Sequence, residues 1–210
     1  MLIRVRLLAG VGALILAADP GVPALAREVT IELLGAGWAR RTITYVVDAG
    51  PRVAPQVVED VIDAVADWNT ALALEDPRRG ETIGLVPAHG RRADIVVKVE
   101  LAPGRLTSRL SYETYTPFSC ELTGARVELR GALLGSPERR ATTRNVARHV
   151  LGHVLGLGHS DDPDSIMYRT RDTEDGFGQS DVAIGRCEAY RLWMLHPPVE
   201  CPLPSITLCF

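Results

Sequence analysis

Lysine is almost missing from this chain, with Lys98 the lone one among 23 basic side chains. The arginine pairs Arg40-Arg41, Arg78-Arg79, Arg91-Arg92 and Arg139-Arg140 are dispersed through turn-like contexts, which predicts solvated surface charge and not a binding patch. The formal net charge is −3, which argues against a nucleic-acid partner held through its phosphates. Also missing is the uninterrupted apolar run of about 20 residues that a membrane span needs. The longest such stretch, Leu7 to Ala18, follows Arg4 and Arg6, meets Asp19, Pro20 and Pro23, and leads to Ala24-Leu25-Ala26. That pattern predicts a signal peptide over 1–26, cleaved after Ala26, and a secreted or periplasmic product with no membrane attachment. No C-x-x-C spacing is present, so Cys120, Cys187, Cys201 and Cys209 do not read as a zinc site. An even count in an exported chain predicts disulfides, with three pairings open. Internal repeats and low-complexity tracts are absent.

What remains has the balance of one globular domain, with 210 residues, 46% hydrophobic and 23% charged. We assign it to 27–196, followed by a proline- and cysteine-containing tail over 197–210. The alternation of Ile43, Tyr45 and Val47 predicts a strand over 42–47, and short β-branched runs predict others at 83–86, 94–99 and 125–130. Between the first two, Val57, Val58, Val61, Ile62, Val65, Trp68 and Leu72 recur at threes and fours, with Glu59, Asp60, Asp63 and Asp67 opposite. This predicts an amphipathic helix over 56–72. Thr142 or Thr143 is the expected cap of a second helix ending at Gly156 and Gly158, and Ser180 that of a third running toward Trp193. The expected class is α+β, with a twisted mixed sheet of four to five strands and three helices.

The informative stretch begins at His149 and runs His149-Val150-Leu151-Gly152-His153-Val154-Leu155-Gly156-Leu157-Gly158-His159. Residues four apart on a helix stand one turn above each other, so His149 and His153 aim two imidazoles at one point. A left-handed Gly156 would end the helix and turn the chain, letting His159 return as a third ligand. Three histidines with one position left open is the catalytic pattern of zinc and not its structural one. His89 and His196 stand apart and carry no such signal.

This stretch resembles the signature H-E-x-x-H-x-x-G-x-x-H of metzincin metallopeptidases, with Met167 matching their Met-turn. The segment from His159 through Ser165-Ile166-Met167-Tyr168 is most similar to the matrixins. Trp38, the helix carrying Trp68, Ala93-Asp94-Ile95 and Gln179-Ser180-Asp181 follow in matrixin order, so the resemblance covers about 37 to 193. It implies a zincin fold with one Zn2+ on the second helix, a cleft for an extended polypeptide, and Met167 packed beneath the metal. The chain departs from that pattern at Arg169, where matrixins usually carry proline, and it lacks their second-zinc histidines and cysteine-switch propeptide. It also departs at the chemistry. The glutamate that serves the family as base and then acid is Val150 here.

Asp161, Asp162 and Asp164 read as calcium ligands or as turn caps. Glu121 and Glu128 are the remaining candidates for a substitute base. Three readings follow: a monomeric pseudo-peptidase that binds a polypeptide with weak or no hydrolysis, an active zinc endopeptidase with another base, and a disulfide-stapled structural or zinc-sequestering protein. No catalytic residue is assigned, and whether the chain is an enzyme turns on Val150.

Overall fold

The spacing of apolar residues after Pro55 produces helix α1, Pro55–Glu75, in a computed structural model that describes residues 29–38, 40–75, 83–90, 92–114, 120–135, 139–169, 180–189 and 205–209. The leader, Trp193, His196 and most of the tail lie outside these residues. Val57, Val61, Ala64, Val65, Trp68 and Leu72 form the buried face, and complete burial of Val61 or Leu72 contributes about 2 kcal/mol each. Ile62, expected on that face, is instead exposed. Asp60, expected on the solvated face, is buried, because the Nε of Arg140 donates to its Oδ1 at 2.8 Å.

The main sheet takes its parallel strands from the alternating runs. These are β2 (Gly37–Trp38), β3 (Thr42–Ala49), β4 (Gly84–Pro87), β5 (Ile95–Leu101) and β7 (Glu121–Gly131), in the order β2-β7-β5-β3-β4. Strand β6, Thr107–Thr114, pairs antiparallel with β7, giving six strands where four to five were expected. Asp94 holds one corner of the sheet. Its Oδ2 accepts from the Thr44 amide and hydroxyl, both at 2.8 Å, and its Oδ1 accepts from Arg40. Arg40 and Arg140 therefore have specific carboxylate partners and are not merely solvated charge.

Helix α2, Arg140–Leu155, lies against α1. Two indoles fasten it: Trp38 Nε1 donates to the Val154 carbonyl and Trp68 Nε1 to that of Arg148, each at 2.9 Å. Thr142 and Thr143 do not cap it. The helix has already begun at Arg140, and both threonines are buried in its first turn. Residues 180–185 are not helical either, and the described part of the expected third helix is 186–189. The physical reason is that α2 claims their backbone: Asn145 donates to the Ser180 carbonyl and accepts from the Val182 amide, and Arg148 donates to the Val182 carbonyl.

A second sheet has no counterpart in the sequence-based expectation. Strand β1, Val29–Leu33, lies between β8, Leu157–Ser160, and β9, Ser205–Cys209, and pairs antiparallel with both. Part of the expected tail is thus a strand of the same body. Cys120 and Cys187 are each disulfide-bonded.

Candidate metal site

Helix α2 carries His149 and His153 one turn apart. Gly156 ends it in the left-handed conformation, at φ 111° and ψ 3°, with its amide directed at the carbonyls of Gly152 and His153. That conformation suits glycine because a Cβ would strain it. The chain then enters β8 and brings His159 back. The three side chains converge, with one ligand atom from each lying within 4.8 Å of the others.

Carbonyl oxygens fix the ring orientations. His149 Nδ1 meets the Ile166 carbonyl at 2.7 Å and His153 Nδ1 meets that of Leu157 at 2.8 Å. A carbonyl can only accept, so each Nδ1 carries the proton and each Nε2 presents a lone pair. Those two Nε2 atoms face each other at 3.1 Å. Two lone pairs at that separation repel unless a cation lies between them, so this donor set fits a metal ion.

Against helix α2, Met167 is fully buried, and a Cβ on Gly152 would overlap its Sδ. Absence of a side chain at Gly152 is what lets methionine and Trp68 approach the helix. Ser165 Oγ accepts from the Met167 amide at 2.9 Å and donates to the buried Glu188 at 2.5 Å. The Met167 carbonyl accepts from the Ser160 amide, next to the third histidine.

Val150 is 2% exposed and belongs to the apolar core. Among the described residues, no carboxylate joins the histidine cluster. Asp162 accepts from the Asp164 amide as a turn cap does, whereas Asp161 accepts from the Thr30 amide on β1. Glu121 and Glu128 lie on β7, where Glu128 stands opposite Lys98 on β5 and Arg109 on β6. Residues missed by sequence reasoning are Glu32, whose carboxylate accepts from the His159 amide at 3.2 Å, and Tyr112, which donates to the His153 carbonyl. Their contacts span 127 and 41 positions, so no local pattern announces them. Desolvation by burial pushes the Tyr112 hydroxyl above its ordinary pKa.

The family model described as Matrixin matches residues 96–183, which include the three histidines, Val150 and Met167. The chain is matrixin-like. No curated protein matches the sequence. Among solved structures, one titled "Structure of myroilysin" is similar at 14% identity over 80% of this chain and 100% of that one, with a TM-score of 0.49. Matrixins typically bind zinc, and the converging histidines of this matrixin-like chain could hold a metal ion. No described helix is long and apolar enough to cross a membrane.

Proposed function

We propose that this chain is a secreted zinc protein that grips an extended polypeptide beside a matrixin-like site and cuts it weakly or not at all. The observation carrying the proposal is Val150, a buried aliphatic residue one position past a metal-ligand histidine. His149, His153 and His159 are the ligands of a single zinc, a choice supported by three imidazoles and the paired Nε2 lone pairs. Zinc, when bound, acts as a Lewis acid and lowers the pKa of water toward about 7. The chain's own contribution to proton transfer is missing, since valine holds no proton. General acid–base catalysis is worth about 10²–10⁴-fold, or roughly 3 to 5 kcal/mol of barrier, so residual hydrolysis is slow.

The polypeptide is taken up by strand addition along β6. Among the described residues that strand pairs with β7 alone, and its Tyr112 reaches the metal helix. Export rests on the leader-like residues 1–26 and agrees with disulfide-bonded Cys120 and Cys187. We place the protein outside the cytoplasm as a monomer, with neither nucleic acid nor membrane as partner.

The test compares the zinc-loaded chain with its Val150→Glu variant on a peptide library. Saturable peptide binding by the unmodified chain and a gain of about 10²–10⁴-fold in kcat/KM for the variant are expected. Turnover by the unmodified chain at the level of an ordinary metallopeptidase would sink the proposal.

A further inference from the structure

His149 and His153 are held by the helix that carries them, but His159 lies beyond its end and needs a separate support. Strand β8 supplies the backbone and pairs with β1 through Ile31 opposite Ser160 and Leu33 opposite Leu157. Between those two pairs the register shifts, and Glu32 falls in the irregular step. Its carboxylate stands in for a ladder carbonyl there: Oε2 accepts the His159 amide proton at 3.2 Å.

Two neighbours make that reach workable. A Cβ on Gly158 would come within 2.5 Å of Glu32 Cβ and 3.0 Å of its Oε2, so a side chain at 158 would push the carboxylate away. The other oxygen, Oε1, faces Arg169 Nη2 at 3.9 Å. Arg169 is the residue that departs from the matrixin proline after the Met-turn tyrosine, so the departure has a partner in β1. Flanking contacts fix the strand itself. Ser160 Oγ donates to the Thr30 carbonyl at 2.9 Å, the Leu34 amide donates to the Gly156 carbonyl at 2.9 Å, and Ile31 is buried in the core.

From these contacts we infer that Glu32 is a positioning residue for the metal site, holding the backbone of His159 so that its imidazole completes the ligand set. The role deepens the zinc reading above and rests on it. Glu32 acts as a hydrogen-bond acceptor, which separates this role from that of a substitute base: its negative charge is dispensable and its acceptor oxygen is not. Partners that orient metal ligands typically contribute about 10–100-fold in metal affinity, which sets the size of the effect.

The experiment measures zinc affinity by chelator competition, and the visible spectrum with Co2+, for the full chain and its variants. Glu32→Ala is expected to lose about 10–100-fold in zinc affinity and to show a weakened, broadened Co2+ spectrum. Glu32→Gln, whose amide oxygen still accepts the proton, stays close to the unmodified chain in both. Should Glu32→Ala fail to fold, Glu32→Asp carries the comparison, because its shorter side chain keeps the charge but withdraws the acceptor. A folded Glu32→Ala or Glu32→Asp with unchanged affinity and spectrum overturns this inference alone, as does a Glu32→Gln as weak as alanine. A full chain that takes up no zinc overturns the zinc reading as well, and that result is distinguished by an equally inert His153→Ala control.

Discussion

The hydroxyl of Tyr112 donates to the carbonyl oxygen of His153 across 2.6 Å, so the edge strand β6 is tied directly to a residue of the histidine cluster. Anything that moves β6 is thereby communicated to the end of α2. We expect Tyr112→Phe to cost on the order of 1 kcal/mol in stability and to weaken peptide binding while leaving zinc uptake intact. Chemical denaturation and a peptide-binding titration check the two effects.

The same tyrosine carries a pH signature. Burial raises the hydroxyl pKa in the folded chain, and Tyr45 is raised by the same cause, so the folded state holds these protons more tightly than the unfolded one. Their stabilisation is complete below the ordinary tyrosine value of about 10 and is lost as pH rises above it. Melting temperature should fall above that pH, and Tyr112→Phe should flatten the decline.

At Gly152 two physical effects oppose each other. Alanine is favoured over glycine in a helix by about 0.8–1.0 kcal/mol, which alone would stabilise Gly152→Ala. Its Cβ, however, would overlap Met167 Sδ and come within 3.0 Å of Trp68 Cζ2. Overpacking costs about 1–3 kcal/mol, and both neighbours are fully buried, so it wins. The variant should melt lower and bind zinc less tightly; a raised melting temperature would show that Met167 and Trp68 can yield.

Val150→Glu, introduced to restore a base, should carry a stability cost when metal is absent. The position is 2% exposed among apolar side chains, and an uncompensated polar group there costs about 1–3 kcal/mol. Zinc offsets it by linkage, with about 2.7 kcal/mol at a free concentration 100 times Kd. At equal zinc affinity that linkage is the same for both chains, so thermal melts should place the variant below the unmodified chain by a similar interval with and without zinc.

Arg140 neutralises a carboxylate that burial alone would leave protonated to unusually high pH. Desolvation raises the Asp60 pKa, and the Arg140 hydrogen bond and charge lower it. Replacing Arg140 by methionine removes the larger lowering contributions and leaves that of Arg144, so the folded pKa climbs further above the unfolded value. A raised folded pKa gives stability that is full below the unfolded value and lost as pH rises. Arg140→Met should thus be more damaging at pH 7 than at pH 4 in paired thermal melts.

Elements with a strong local period were legible in the sequence. The threes and fours from Val57 to Leu72 gave α1, the alternation around Ile43 and Tyr45 gave β3, and the apolar positions Val146, Ala147, Val150, Leu151, Val154 and Leu155 gave the core of α2. Elements that exist only through a distant partner were not. Strand β8 contains Gly158 and is a poor strand by composition; β1 supplies the pairing that makes it one. Polar β6 lacks the alternation of a half-buried strand and is ordered along β7. Ser180 had the chemistry of a helix cap, but Asn145 and Arg148 took the backbone that a helix would have used. The histidine cluster was local and legible, whereas Glu32, which braces it, was neither.

Strand β1 sits between two strands that both lie far downstream in the chain, and this sets an order of events in folding. Residues 29–33 emerge early, yet their first sheet partner is at 157–160 and their second at 205–209. Closing loops of that length is slow compared with forming α1 or α2. The helices and the parallel strands can assemble first, whereas the support that Glu32 gives His159 waits for β1 to find β8. The surroundings of His159 are therefore among the last parts of the described fold to close.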